Sequence, residues 1–194
     1  MSQTPSQVPE LPPKSETIDL DALMRKYDTE SRFRILSGWQ GKLVGILAIA
    51  MACFHFYTSG FGLLPAQHQG AVHLAFALCL TLFLYPATKK ASKHTIPWYD
   101  FIVAAIAVVT SMYLVFNYAA LVERSGLPSE LDLILGFLLV LMVLEATRRI
   151  SNPVLPCLAV IALLYCYLGP YLPAGMGHRG FSVTRIINHM YLGT

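Results

Sequence analysis

Five apolar runs, at residues 41–64, 69–88, 99–122, 131–147 and 153–172, constrain this chain more than any other feature. Each lies near the ~20 residues that an α-helix needs to cross the hydrocarbon core of a bilayer. Lipid offers no partner to a bare backbone N–H or C=O, so such a run must close its hydrogen bonds internally, as a helix. The runs predict an all-α integral membrane protein with about five transmembrane helices. The fourth is the shortest, yet its ILGFLLVLMVL stretch is apolar enough to favour a span over a helix buried in a soluble core.

Charge agrees with this reading. Only 13% of residues are charged, against roughly a quarter in soluble domains. Six of the eleven acids and five of the fourteen bases fall in residues 1–36, so the rest of the chain is nearly uncharged over long stretches. A net charge of +3, carried in short clusters between apolar runs, marks topology rather than a nucleic-acid surface. Lys14, Arg25, Lys26, Arg32, Arg34, Lys42, Lys89, Lys90, Lys93, Arg148 and Arg149 would all lie on one side, and only Arg124, Arg179 and Arg185 on the other. The positive-inside rule then predicts a cytoplasmic N-terminus and an outer C-terminal segment. Trp39, Trp98 and Tyr99 sit at the cytoplasmic boundaries and Tyr113, Tyr118, Tyr167 and Tyr171 near the opposite one, as interfacial anchors do. Pro65, Pro97, Pro153, Pro170 and Pro173 fall near span ends, whereas Pro156 is predicted to bend the fifth span.

Residues 1–17, rich in Pro, Ser and Gln, read as a disordered cytoplasmic tail, and they lack the apolar run of a signal peptide. Residues 18–37 carry Leu20, Leu23, Met24, Tyr27, Phe33 and Leu36 between charges, which predicts an amphipathic helix, broken near Asp28–Ser31, that either packs on its own bundle or, the favoured reading, lies along the membrane surface as a brace. Residues 38–175 form the predicted helical domain. Residues 176–194 are a second amphipathic segment, with Phe181, Ile186, Ile187, Met190 and Tyr191 apolar and Arg185 and His189 on one face at i,i+4. Its abrupt end points to a longer polypeptide or to a partner.

Few groups could carry chemistry. Glu145 precedes Arg148 and Arg149 at i+3 and i+4, a spacing that predicts a structural ion pair on one helix face. Asp100 and Asp132 open spans, where a carboxylate favours the helix N-terminus. His55 and His73 fall at similar depth in antiparallel spans and could ligate a haem iron from facing helices, although histidines hydrogen-bonded within a bundle are commoner. Cys53, Cys79, Cys157 and Cys166 lie inside apolar runs without metal or redox spacing, so they read as small core residues. No phosphate loop, nucleophile elbow or HExxH pattern is present, nor the paired glycine-rich half-helices of a substrate site. The residues therefore nominate no catalytic, cofactor or metal site and leave any substrate site unknown.

KYDTESRFRILSGW (26–39), YTSGFGLLP, AVHLAFAL, PWYDF, LEATRR, LGPYLP and HRGFSVTRIINHMYL occur in this order. Together, from about Leu20 to Thr194, they resemble the N-terminal part of fused permeases of tripartite ATP-independent periplasmic (TRAP) transporters, in the branch that works with TAXI-type binding proteins. The resemblance implies a small scaffold portion in the bacterial inner membrane, joined to a large transport portion that holds the substrate and cation sites. It also implies a periplasmic binding protein, and import of dicarboxylates or amino acids driven by sodium or protons. The sequence stops where such proteins continue, and no substrate-site motif of the family is matched. The competing expectations are a haem-bearing anchor in electron transfer, resting on His55 and His73, and a membrane assembly protein.

Overall fold

The computed structural model describes residues 33–192 apart from 63, 89, 90, 125, 152 and 174. Its long helices are α1 (Gly38–Gly60), α2 (Ala66–Leu84), α3 (Trp98–Phe116), α5 (Glu130–Ile150) and α6 (Val154–Leu168). A short α4 (Tyr118–Glu123) follows α3, a 3-10 turn (Gly169–Tyr171) extends α6, and α7 (Val183–Leu192) comes last. No strand occurs among the described residues, and the chain is an all-α membrane protein.

Among the described residues four helices are long and apolar enough to cross a membrane: α1, α2, α3, and α6 with its 3-10 extension. The expectation was about five, and the fifth candidate is the helix formed by the fourth run. The fourth run forms α5, whose 21 residues reach ~32 Å at 1.5 Å per residue, but it carries Glu130 and Asp132 at its start and Glu145, Arg148 and Arg149 toward its end. The third predicted run also divides, because the helix breaks at Asn117. There the Asn117 side-chain amide donates to Tyr113 O at 3.2 Å, a local bond that competes with helix continuation. Pro156 is the third residue of α6, where the backbone N–H is unused anyway, so no helical bond is lost to it.

α2 and α3 form the centre. Ala71 and Ala75 of α2 and Ala104 and Ala107 of α3 are buried, and small side chains let membrane helices approach closely. Leu78, Leu82, Phe83 and Leu139 fill the remaining core, which brings α5 against both. α1 and α6 lie at the edges: Thr58 is the one buried residue of α1 and Pro156 that of α6. The predicted surface helix over 18–37 falls mostly outside the described residues, and its last part, 33–37, is not helical.

After α6 the chain reverses in a turn built on two glycines. Gly169 lies directly under the His178 imidazole, where a Cβ would collide with the ring, and Gly180 takes φ +71°, a region L side chains disfavour. His178 donates from Nε2 to Tyr165 O at 3.0 Å and accepts from Gly180 N at Nδ1 at 3.0 Å, while Phe181 N donates to Cys166 O at 2.9 Å. The turn aims α7 back into the bundle. There a Cβ on Gly136 of α5 would stand 2.8 Å from the Ile187 methyl, and the Tyr191 hydroxyl donates to Thr110 O at 2.7 Å.

Candidate functional site

The membrane-embedded polar groups gather at opposite ends of the bundle. At one end, α2 stops at Leu84 and leaves its last carbonyls without helical partners, as every helix end does. Arg34, just ahead of α1, fills this gap: Nη1 donates to Leu82 O at 3.1 Å and Phe83 O at 3.0 Å, and Nε donates to Ser92 O at 3.2 Å. Its backbone is fixed as well, with Arg34 N donating to Leu84 O at 2.6 Å and Ile35 N to Lys93 O at 2.9 Å.

Asp100, in the first turn of α3, binds this guanidinium at 2.7 Å through Oδ2 and the Arg149 guanidinium of α5 at 2.8 Å through Oδ1. The side chains of Arg34 and Asp100 are fully buried and Arg149 is nearly so. Arg149 also donates from Nε to Glu145 at 2.8 Å, and Arg148 grips the same carboxylate with two 2.8 Å bonds. Three guanidiniums thus face two carboxylates. The excess positive charge sits against the C-terminal carbonyls of α2, the negative end of its dipole, which offsets it.

At the far end Asp132 closes a capping box with Ser129. Arg124 grips Asp132 in a fork at 3.0 Å to each oxygen, and the Tyr113 hydroxyl donates to the same carboxylate at 2.7 Å. The bond to Asp132 raises the pKa of Arg124 above its ordinary value.

The predicted Glu145–Arg148–Arg149 pairing is present, and Asp132 serves as the expected end charge. Asp100 does more than an end charge, because it joins two chain segments distant in sequence. The sequence marks Arg34 only as a topology signal and Tyr113 only as an anchor, with one clue to more: Arg34 sits inside the apolar stretch Phe33–Leu36. Cys53 and Cys157 are exposed rather than in the core, whereas Cys79 is buried.

His55 and His73 do meet, with Nε2 and Nδ1 at 2.9 Å and the rings 5.0 Å apart edge to face. A metal held from both sides at about 2 Å per bond needs its donors roughly 4 Å apart. The two nitrogens are bonded to each other, and no space for a macrocycle separates the rings, so haem does not fit this pair. Among the described residues no group of three or more His, Cys, Asp or Glu could hold a metal ion.

Helical architecture, apolar spans and end-on charge networks define the class: a multi-pass, all-α membrane protein. The chain matches no protein-family model, and neither a curated protein nor a solved structure matches it significantly.

Proposed function

We propose that this chain is the scaffold membrane part of a TRAP-type secondary transporter, which imports organic acids such as dicarboxylates or amino acids with a periplasmic binding protein and an ion gradient. One observation carries the reading: the buried charges Arg34, Asp100, Arg149 and Asp132 bind one another and helix ends, while the cavities beside α7 are lined mainly by apolar side chains. A site for an organic anion needs polar groups free to receive it near mid-membrane. Charges locked between helices instead suit a static brace against which another domain moves. The uncovered apolar sides of α1 and α6, with Ile46, Phe56 and Ile161 exposed, suit contact with lipid and with a large permease domain or subunit. In this reading the chain lies in the bacterial inner membrane with its N-terminus cytoplasmic, as the eleven-to-three split of bases favours.

Reconstitution in liposomes tests the function. Residues 1–194 alone are expected to accumulate no organic acid under a sodium or proton gradient, with uptake restored by a large permease portion and a binding protein together. Accumulation by this chain alone would refute the scaffold role. Orientation is checked in intact cells, where Leu127→Cys should react with an impermeant thiol reagent and Ala91→Cys should not; the reverse pattern inverts the topology.

A further inference from the structure

The turn between α6 and α7 is closed by one imidazole whose two nitrogens have opposite roles. Tyr165 and Cys166 lie in the last turn of α6, and Pro170 has no N–H to offer the Cys166 carbonyl. Phe181 N supplies that bond instead, and His178 Nε2 donates to Tyr165 O, so the turn folds back onto α6. On its other side His178 Nδ1 accepts from the N–H of Gly180, whose left-handed backbone leads into α7. The ring is confined between Gly169 and the Tyr165 ring, 4.8 Å away.

An imidazole can hold a C=O and an N–H together only when neutral, with its hydrogen on Nε2. A second proton, on Nδ1, would point at the Gly180 N–H, donor against donor, and that bond is lost. No counter-charge offsets the loss. Residues 150–194 contain no Asp or Glu, and the titratable groups on the packed elements are Tyr165 and Cys166 of α6, Arg179 of the turn, and Arg185 and His189 of α7. The Tyr165 hydroxyl is already donated to Met176 O. α5, beside α6, brings Glu130, which is exposed, and Asp132, which Arg124 and Tyr113 hold. The negative end of the α6 dipole favours an imidazolium, but at Tyr165 O. A charged ring therefore keeps α6 and releases Gly180.

We propose that His178 is a pH-sensitive latch on α7. Neutral, it fixes the entry of the helix; protonated, it opens the turn at Gly180 and loosens α7 from α5. The closed turn takes only the neutral ring and the open turn takes either form, so acid favours opening. The latch stands apart from the transporter reading, since it needs only the turn and α7.

Hydrogen–deuterium exchange of the purified full chain in mild detergent tests it at pH 8 and pH 5, the range over which histidines ordinarily change charge. Rates are referred to those of the denatured chain at the same pH. Protection over 183–192 is expected to fall about tenfold from pH 8 to pH 5, while protection over 66–84 holds. His178→Asn, which keeps an acceptor at the δ position and cannot gain a proton, should remove the pH dependence, and His189→Gln should leave it intact. In case His178→Asn fails to fold, nitrogen NMR of the histidine-labelled wild-type chain reads the ring directly. Gly177–His178 is the one Gly-His step in the sequence, so glycine labelling assigns it. Its hydrogen should sit on Nε2 at pH 8, and both nitrogens should be protonated where α7 opens. Wild-type protection that does not change with pH, the same fall in His178→Asn, loss of the fall in His189→Gln, or a ring protonated on Nδ1 at pH 8 would each overturn the proposal.

Discussion

The two ends of the bundle solve the same problem, a carboxylate placed in a membrane protein, at different ranges. At the Asp100 end the partners are 66 and 49 residues away in the chain, so the network ties the segment before α1, the start of α3 and the end of α5 into one body. At the Asp132 end the partners are 8 and 19 residues away, and the network shapes the entry into α5 and the loop ahead of it. Exposure differs in the same sense: Arg34 is fully buried, whereas the Arg124 side chain is 35% exposed. Stranding a buried charge typically costs ~3–5 kcal/mol, while a pair open to solvent contributes ~0–1 kcal/mol. The first network should therefore set the tertiary arrangement and the second only a local one.

The sharpest way to break this comparison is Asp100→Ala, which leaves two buried guanidiniums without their carboxylate. Loss of ~3–5 kcal/mol is expected in detergent-titrated unfolding followed by circular dichroism. A loss below about 1 kcal/mol would make the network peripheral. Adding Arg34→Met should return at least ~1 kcal/mol, because the double variant no longer buries that unpaired charge.

The far end should depend more on close packing than on charge. Gly136→Val places side-chain atoms where Ile187 and Tyr191 already stand, and is expected to cost ~1–3 kcal/mol and to loosen α7. Faster hydrogen exchange over 183–192 would report the loosening; unchanged exchange would show that α7 docks without this contact. Asp132→Ala removes the capping box and the hold on Arg124, and a smaller loss of ~1–2 kcal/mol is expected. If Asp132→Ala proves as damaging as Asp100→Ala, the contrast between the ends fails.

The parts of this fold legible in the sequence are those with a short reach. Apolar runs announce helices because the spanning length is set by the bilayer, and run 69–88 became Ala66–Leu84 with modest shifts at both ends. The Glu145–Arg148–Arg149 cluster was legible because i+3 and i+4 share a helix face. Arg34 with Asp100 was not, since pairing across 66 residues depends on how α2 and α3 pack. Similar depth of His55 and His73 could be counted along the spans, but their 2.9 Å contact required the rotation of each helix. The docking of α7 at Gly136 was hidden for the same reason: a glycine in an apolar run does not say which partner approaches it.

The smallest effect belongs to Glu145→Gln, the variant that separates a structural carboxylate from a working one. Glu145 is 28% exposed and Arg148 45%, so their mutual attraction is screened and contributes ~1 kcal/mol or less. Arg149 is nearly buried, yet it keeps Asp100 at 2.8 Å and the carbonyls of Leu82 and Tyr85 at 3.3 Å when the Glu145 charge is removed. The glutamine retains a carbonyl oxygen that can still accept from one guanidinium. The expected result is a slight loss of thermal stability; on the transporter role proposed above, assembly with a permease portion stays normal and the cation that drives uptake does not change. Altered ion dependence with normal assembly would make Glu145 a transport residue, and the end of the bundle that looks most rigid would then be the one that works.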